Sequence, residues 1–212
     1  MILSDREIQA AIRDKNILID PPPDEALFSS TALDLTLDGV LLRWKEPGNH
    51  PSGQPIKLCP SREGFDIRAI MTDPHYSAKV SIDPKEGFDL EPHKFVLGYT
   101  REKIYLPNQS RIAARVEGKS SLARLGVGVH VTAPTIHAGF GYNPEDKDHP
   151  GLPIQLEIFN LGNQTVVLDI GMPICQLILE EVREVPTRGY QGRFSGQRTF
   201  TLNSSEPKRP GT

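Results

Sequence analysis

The chain has 212 residues, 37% of them hydrophobic, and sets 24 Lys and Arg against 27 Asp and Glu for a formal net charge of −3. That length is most simply one domain, able to bury roughly 70% of the surface its unfolded form exposes. The charge balance excludes a polyanion such as DNA as the main partner, because phosphate-backbone binding needs a basic surface, so any anion site must be local. No apolar stretch approaches the ~20 residues of a membrane span. Asp5, Arg6 and Glu7 precede any apolar run, unlike a signal peptide. Two cysteines, Cys59 and Cys175, do not make a disulfide framework. The expectation is a cytoplasmic protein with reduced thiols and no membrane partner.

In chain order, Ser4 and Glu7 form a capping box, and Ile8, Ala11 and Ile12 follow at helical spacing. This predicts a helix from about Asp5 to Asp14. Period-2 patterns then dominate: Leu33, Leu35 and Leu37 alternate with Asp34, Thr36 and Asp38. Residues 45–90, rich in Pro, Gly and charge, read as strands joined by long loops. Phe95 to Tyr99 and Ile174 to Leu179 read as strands, the second largely buried with Cys175 as core packing. Ser120 to Leu125 is the only later stretch that reads as a helical turn. Residues 139–151 are polar and turn-forming, a surface loop. From Pro186 the chain is polar, with Gly189, Gly192 and Gly196: a flexible tail whose Tyr190, Arg193 and Gln197 can fold over a ligand. The plan is one mainly β domain over residues 1–185 and a tail over 186–212. A jelly roll or distorted β-barrel with a short N-terminal helix fits better than a parallel sheet, because long amphipathic crossover helices are missing.

Two segments carry chemistry. Gly118-Lys119-Ser120-Ser121-Leu122-Ala123-Arg124-Leu125-Gly126 puts a cation, two hydroxyls and an arginine within one tight turn. Charged forks, small donors and exposed backbone N–H groups are what a phosphate needs. Arg111, Arg115, Lys119 and Arg124 form a local cationic cluster near Glu117, although Arg111 and Arg115 taken singly read as solvated surface cations. A P-loop is excluded, since its first glycine would fall on Ala113 and no long helix follows. The second segment is Gln155-Leu156-Glu157-Ile158-Phe159-Asn160, a lone acid among apolar neighbours where a general acid or base can be placed. From pattern alone, Glu157 shares a face with Gln155 and Phe159 and reads as a solvent-facing glutamate on a half-buried strand. His130 reads as a core histidine. No His-x-Glu or Pro-Cys-x-x-Cys segment occurs, and the histidines and cysteines lack zinc-ligand spacing.

Ser120-Ser121-Leu122-Ala123-Arg124-Leu125-Gly126, His130-Val131-Thr132-Ala133, Leu156-Glu157 and Gly171-Met172-Pro173-Ile174-Cys175-Gln176-Leu177 closely resemble, in order, the dCTP deaminase branch of the dCTP deaminase/dUTPase superfamily. Ala32 to Leu37 resembles that family's N-terminal strand, and Arg193-Phe194-Ser195-Gly196-Gln197 its tail motif, with Arg193 where a lysine is usual. The resemblance implies a dUTPase-like β fold, a homotrimer with active sites between subunits, and zinc-free hydrolysis of dCTP to dUTP and ammonia. Magnesium enters with the triphosphate, and dTTP is the implied inhibitor. Carried over, Glu157 is the general base and the Ala133 carbonyl helps hold the attacking water. Lys119, Ser120, Ser121 and Arg124 bind phosphates, with Ser120 or Ser121 also polarising the reacting centre. Gln155 pairs with the base edge, and Tyr190, Arg193 and Gln197 close over the nucleotide.

Two departures stand out. The family's aspartate, which contacts the sugar 3′-hydroxyl and in dUTPases orients the attacking water, is replaced by His137. Histidine can hydrogen-bond a hydroxyl but supplies no fixed negative charge, which weighs against a dUTPase or bifunctional activity. His137 and Glu157 are also separated by roughly ten more residues than the family pattern, filled by Gly141 to Pro150. These departures keep a non-catalytic nucleotide-binding module in view.

Overall fold

Ser4 fixes the start of the first helix, α1 (Asp5–Arg13), in a computed structural model that describes residues 1–46, 57–129, 132–142 and 151–187. Its Oγ accepts the Glu7 N–H at 3.4 Å, and Glu7 Oε2 accepts the Ser4 N–H at 2.7 Å. Ser4 Oγ also donates to Glu7 Oε2 at 2.7 Å, and the two bonds that Oε2 accepts, the backbone one first, hold the Glu7 carboxyl below its usual value. Ile8 and Ala11 bury on the inner side of the helix.

The strands follow as β1 (Leu18–Asp20), β2 (Phe28–Ser29), β3 (Ala32–Thr36) and β4 (Val40–Trp44). After a short helix, α2 (Ile67–Thr72), come β5 (Ser77–Ser81), β6 (Phe88–Leu90), β7 (Phe95–Tyr105) and β8 (Ile112–Gly118). One helical turn, α3 (Ser120–Ala123), then leads to β9 (Val127–Val129), β10 (Thr135–Ile136), β11 (Leu152–Asn160), β12 (Val166–Leu168) and β13 (Pro173–Glu181). One sheet runs β5-β4-β7-β11-β9 with β1 also on β7; a second runs β10-β8-β13-β3-β2; β12 and β6 form a small ribbon. Pairing is antiparallel throughout the described strands. The two main sheets share one core. Leu33, Leu35, Val116, Leu177 and Leu179 enter it from the second sheet, and Val96, Ile104, Ile154, Leu156 and Ile158 from the first. Cys175 is fully buried there, and burial pushes its thiol up. The mainly β reading, the N-terminal helix and the buried strand through Cys175 are all present.

One local expectation differs from the structure. Residues 45–90 were expected to hold only strands and loops, yet α2 forms where Asp66 Oδ1 accepts the Arg68 and Ala69 N–H groups at 2.9 and 3.3 Å. Pro74 follows its end, a start-and-stop pair typical of a helix. Thr36, which alternates with the leucines beside Asp34, is buried as they are. Its N–H and Oγ1 donate to the Glu102 carboxylate at 2.9 and 2.6 Å, which ties β3 of the second sheet to β7 of the first. Thr100 continues this network, donating from Oγ1 to the Glu102 carbonyl at 2.7 Å and accepting the Ile154 N–H at 2.9 Å.

The turn from α3 into β9 needs a glycine. Gly126 has φ +87°, and a Cβ there would lie 2.3 Å from the Gly162 nitrogen. The expected surface loop lies outside the described residues over 143–150, as does the tail beyond Thr187, including Tyr190, Arg193 and Gln197. His130 and Val131 also lie outside them.

Candidate active site

Strand β11 presents two different faces because side chains alternate along it. Ile154, Leu156 and Ile158 are at most 1% exposed on the core face. Gln155, Glu157 and Phe159 are half-buried on the other. The expected shared face of these three residues is therefore present, but Glu157 is not a freely solvated glutamate: its Oε2 is buried. The reason is its surroundings, since it stands opposite Leu97 on β7, itself 5% exposed.

Gln155 stands opposite Tyr99, and its Nε2 donates to the Tyr99 hydroxyl at 3.1 Å. Tyr99 is 4% exposed. Burial pushes its phenol up to about 12, with the Gln155 hydrogen bond and the Arg68 charge acting in the opposite direction. The sign of the linkage is fixed by which state loses its proton first. An unfolded tyrosine ionises near 10, the folded one near 12, so the Tyr99 contribution to stability is full below pH 10 and is lost as pH rises towards 12. Denaturant unfolding followed across that window should show a shallower decline in Tyr99→Phe than in the parent chain.

The phosphate-type segment folds as expected into one helical turn. Lys119 is the N-cap of α3, Ser120 and Ser121 are exposed in its first turn, and Arg124 is exposed at its C-cap. α3 leans on β9, which pairs with the Ile158–Asn160 end of β11. The cationic cluster is partly spent on internal pairs. Lys119 Nζ is bonded to the Asp34 carboxylate on β3, and Gln176 Nε2 donates to the other Asp34 oxygen at 3.2 Å. Register explains this: β13 places Gln176 opposite Asp34 and Cys175 opposite Gly118, which brings Lys119 beside the same carboxylate. The Lys119 and Asp34 side chains are only 20% and 16% exposed, so Lys119 docks the start of α3 onto the second sheet.

Arg111 and Arg115, read as solvated cations, are paired as well. Arg111 meets Glu181 at 2.6 Å, and Arg115 meets Glu180 at 2.8 Å and Glu117 at 3.4 Å. Arg124 remains as the cation of the cluster with no ion pair among the described residues.

Ala133 and His137 are exposed on either side of β10, which pairs with β8 in the second sheet. The Pro134 carbonyl accepts the Val116 N–H at 2.8 Å, and the His137 carbonyl accepts the Phe140 N–H at 3.0 Å. The candidate residues of one chain thus stand on different elements. Gln155 and Glu157 lie inside the first sheet, Ser120, Ser121 and Arg124 on α3, and Ala133 and His137 at the edge of the second. A cavity of about 490 Å³ lined by Trp44, Phe88, Lys94 and Phe95 lies elsewhere and contains none of them. Among the described residues no three His, Cys, Asp or Glu side chains converge to hold a metal ion. Sequence reasoning missed Tyr99 and Asp34 as partners of site residues, because neither has a local spacing signal.

A family model described as dCTP deaminase-like matches residues 2–182. A protein of Persephonella marina named "dCTP deaminase, dUMP-forming" is 34% identical and covers 96% of each chain. One of Rhodospirillum rubrum named "dCTP deaminase" is also 34% identical, covering 90% of this chain and 87% of its own. In fold, the chain is similar to the crystal structure of 2'-deoxycytidine 5'-triphosphate deaminase from Agrobacterium tumefaciens. The TM-score is 0.60 at 19% identity over 85% of this chain and 48% of that one, so the match spans about half the length of the solved chain.

Proposed function

Because the chain belongs to the dCTP deaminase-like family, we propose that it hydrolyses the cytosine amine of dCTP to give dUTP and ammonia. The observation that carries this reading is Glu157: a carboxylate with one oxygen withdrawn from solvent, held on an interior strand one pleat from a carboxamide. A carboxylate so placed can take a proton from a water molecule as its oxygen bonds to C4 of the base. That proton passes to N3 of the ring, the second proton of the attacking water passes from the new C4 hydroxyl to the exocyclic nitrogen, the C4–N bond breaks, and ammonia leaves as the C4 carbonyl forms. Glu157 ends as it began, and no zinc is required by these steps.

The Ala133 carbonyl is assigned to the water, Gln155 to the base edge and His137 to the sugar. Ser120, Ser121 and Arg124 are assigned to the triphosphate, which brings Mg²⁺ as part of the substrate, and Ser120 or Ser121 also polarises the reacting centre. Lys119 joins this grip by keeping its bond to Asp34 and fixing the turn that carries the serines. Tyr190, Arg193 and Gln197 complete the nucleotide contacts in this proposal, and dTTP is its expected competitive inhibitor. The site is assigned to a homotrimer, in which a second copy completes it.

Arg124→Ala should raise the KM for dCTP about 10- to 100-fold by removing charge-assisted bonds to phosphate. An unchanged KM in steady-state kinetics would take Arg124 out of the grip.

A second reading, in which dUTP is hydrolysed further to dUMP and pyrophosphate, is favoured by the dUMP-forming names of the relatives from Persephonella marina and Beutenbergia cavernae. His137, which supplies no fixed negative charge, weighs against it. Incubation with dCTP and magnesium, with chromatography and an ammonia assay, separates the readings. Equal ammonia and dUTP supports the first, and ammonia with dUMP and pyrophosphate the second. Nucleotide binding without ammonia from any cytosine nucleotide would replace both with a binding module.

A further inference from the structure

Tyr99 and Gln155 meet across the β7–β11 pair through one hydrogen bond, the Gln155 Nε2 donating to the Tyr99 hydroxyl at 3.1 Å. A carboxamide carries its donor and acceptor at opposite corners of one plane. Holding the nitrogen on Tyr99 therefore turns Oε1 away from β7 as an acceptor of fixed direction. The anchor is rigid, because Tyr99 is 4% exposed. Its hydroxyl stays protonated through the neutral range, since burial pushes its ionisation up to about 12. Gln155 and Glu157 lie on one face, about 7 Å apart by the rise of a strand, a span that one pyrimidine ring with its substituents can bridge.

We infer that Tyr99 is a positioning residue that locks the Gln155 amide with Oε1 towards the base, so that the site selects a pyrimidine with a 4-amino group over one with a 4-keto group. The inference rests on the deaminase reading above. An amine N–H meets the fixed acceptor as a donor, whereas a keto oxygen meets it as a second lone pair. The contact also strengthens during the reaction. The leaving nitrogen gains positive character as it takes up a proton, and a hydrogen bond from a charged donor is the stronger kind. Tyr99 thus acts on the rate as well as on binding, through Gln155.

The test compares the parent chain with Tyr99→Phe, Gln155→Leu and the double variant. It measures KM and kcat for dCTP and the inhibition constant of dUTP against dCTP deamination. The ratio of the dUTP inhibition constant to the dCTP KM should fall about three- to tenfold in Tyr99→Phe, with a lower kcat. In the Gln155→Leu background the same substitution should change nothing further, as required of a residue acting through another. A purely structural role would weaken both nucleotides alike, and an unchanged ratio would overturn the proposal. If Tyr99→Phe does not fold, Gln155→Leu carries the test, and an unchanged ratio there overturns it equally. Failure of the parent chain to release ammonia from dCTP would defeat the deaminase reading and this inference with it. Ammonia release with an unchanged ratio defeats this inference alone.

Discussion

Glu157→Gln should reduce ammonia release from dCTP by about 10²- to 10⁴-fold, the usual contribution of a positioned general base. The amide fills nearly the same volume and keeps an oxygen for hydrogen bonding, but it cannot accept the proton that attacking water must lose. The local fold has little reason to change. The core face of β11 is built by Ile154, Leu156 and Ile158, whereas Glu157 lies on the opposite, half-buried face. The variant should therefore melt close to the parent and still bind dCTP. Steady-state ammonia assays with titration calorimetry for the nucleotide check both halves. Retained turnover would remove Glu157 from the mechanism, and loss of binding together with the fold would make the residue structural.

The largest effect on stability is expected at Glu102. Glu102→Ala should cost about 3 kcal/mol, because it strands two donors in a site sealed from water and leaves a void. The donors are the Thr36 N–H and Oγ1–H, and the carboxylate that takes both is 4% exposed. For a chain of this size that is a fall of about 6–12 °C in melting temperature. Glu102→Gln keeps one acceptor and should lose less. The bond joins strands of the two main sheets, so its loss weakens their mutual packing rather than one hairpin. Calorimetric melting of both variants checks the order; equal stability of Glu102→Ala and the parent would show that the sheets do not depend on this clamp.

What could be read along the chain was local. The Ser4–Glu7 capping box, the alternating leucines of β3 and the strands through Phe95 and Cys175 each announce themselves within a few residues. The helical turn at Ser120 does the same. The shared face of Gln155, Glu157 and Phe159 follows from alternation alone. The contacts that define the site's surroundings are between distant positions. Lys119 and Asp34 are 85 positions apart, Thr36 and Glu102 are 66, and Tyr99 and Gln155 are 56. No window along the sequence contains both members of such a pair, so the lysine reads as a free phosphate ligand and the Thr36–Glu102 bond leaves no local mark. The same limit applies to Arg111 and Arg115, whose carboxylate partners arrive on β13. Helix α2 was missed for a different reason: six residues do not establish a 3.6-residue period, and only the Asp66 cap and Pro74 mark it.

In the proposed reaction water attacks C4 of a cytosine base beside Glu157. Turnover of dCTP in water enriched in oxygen-18, with mass spectrometry of the recovered nucleotide, tests it directly. One heavy oxygen in the base of the product, matched by one ammonia released, is the predicted result. Label confined to phosphate, or a base that keeps its nitrogen and gains no label, would contradict it.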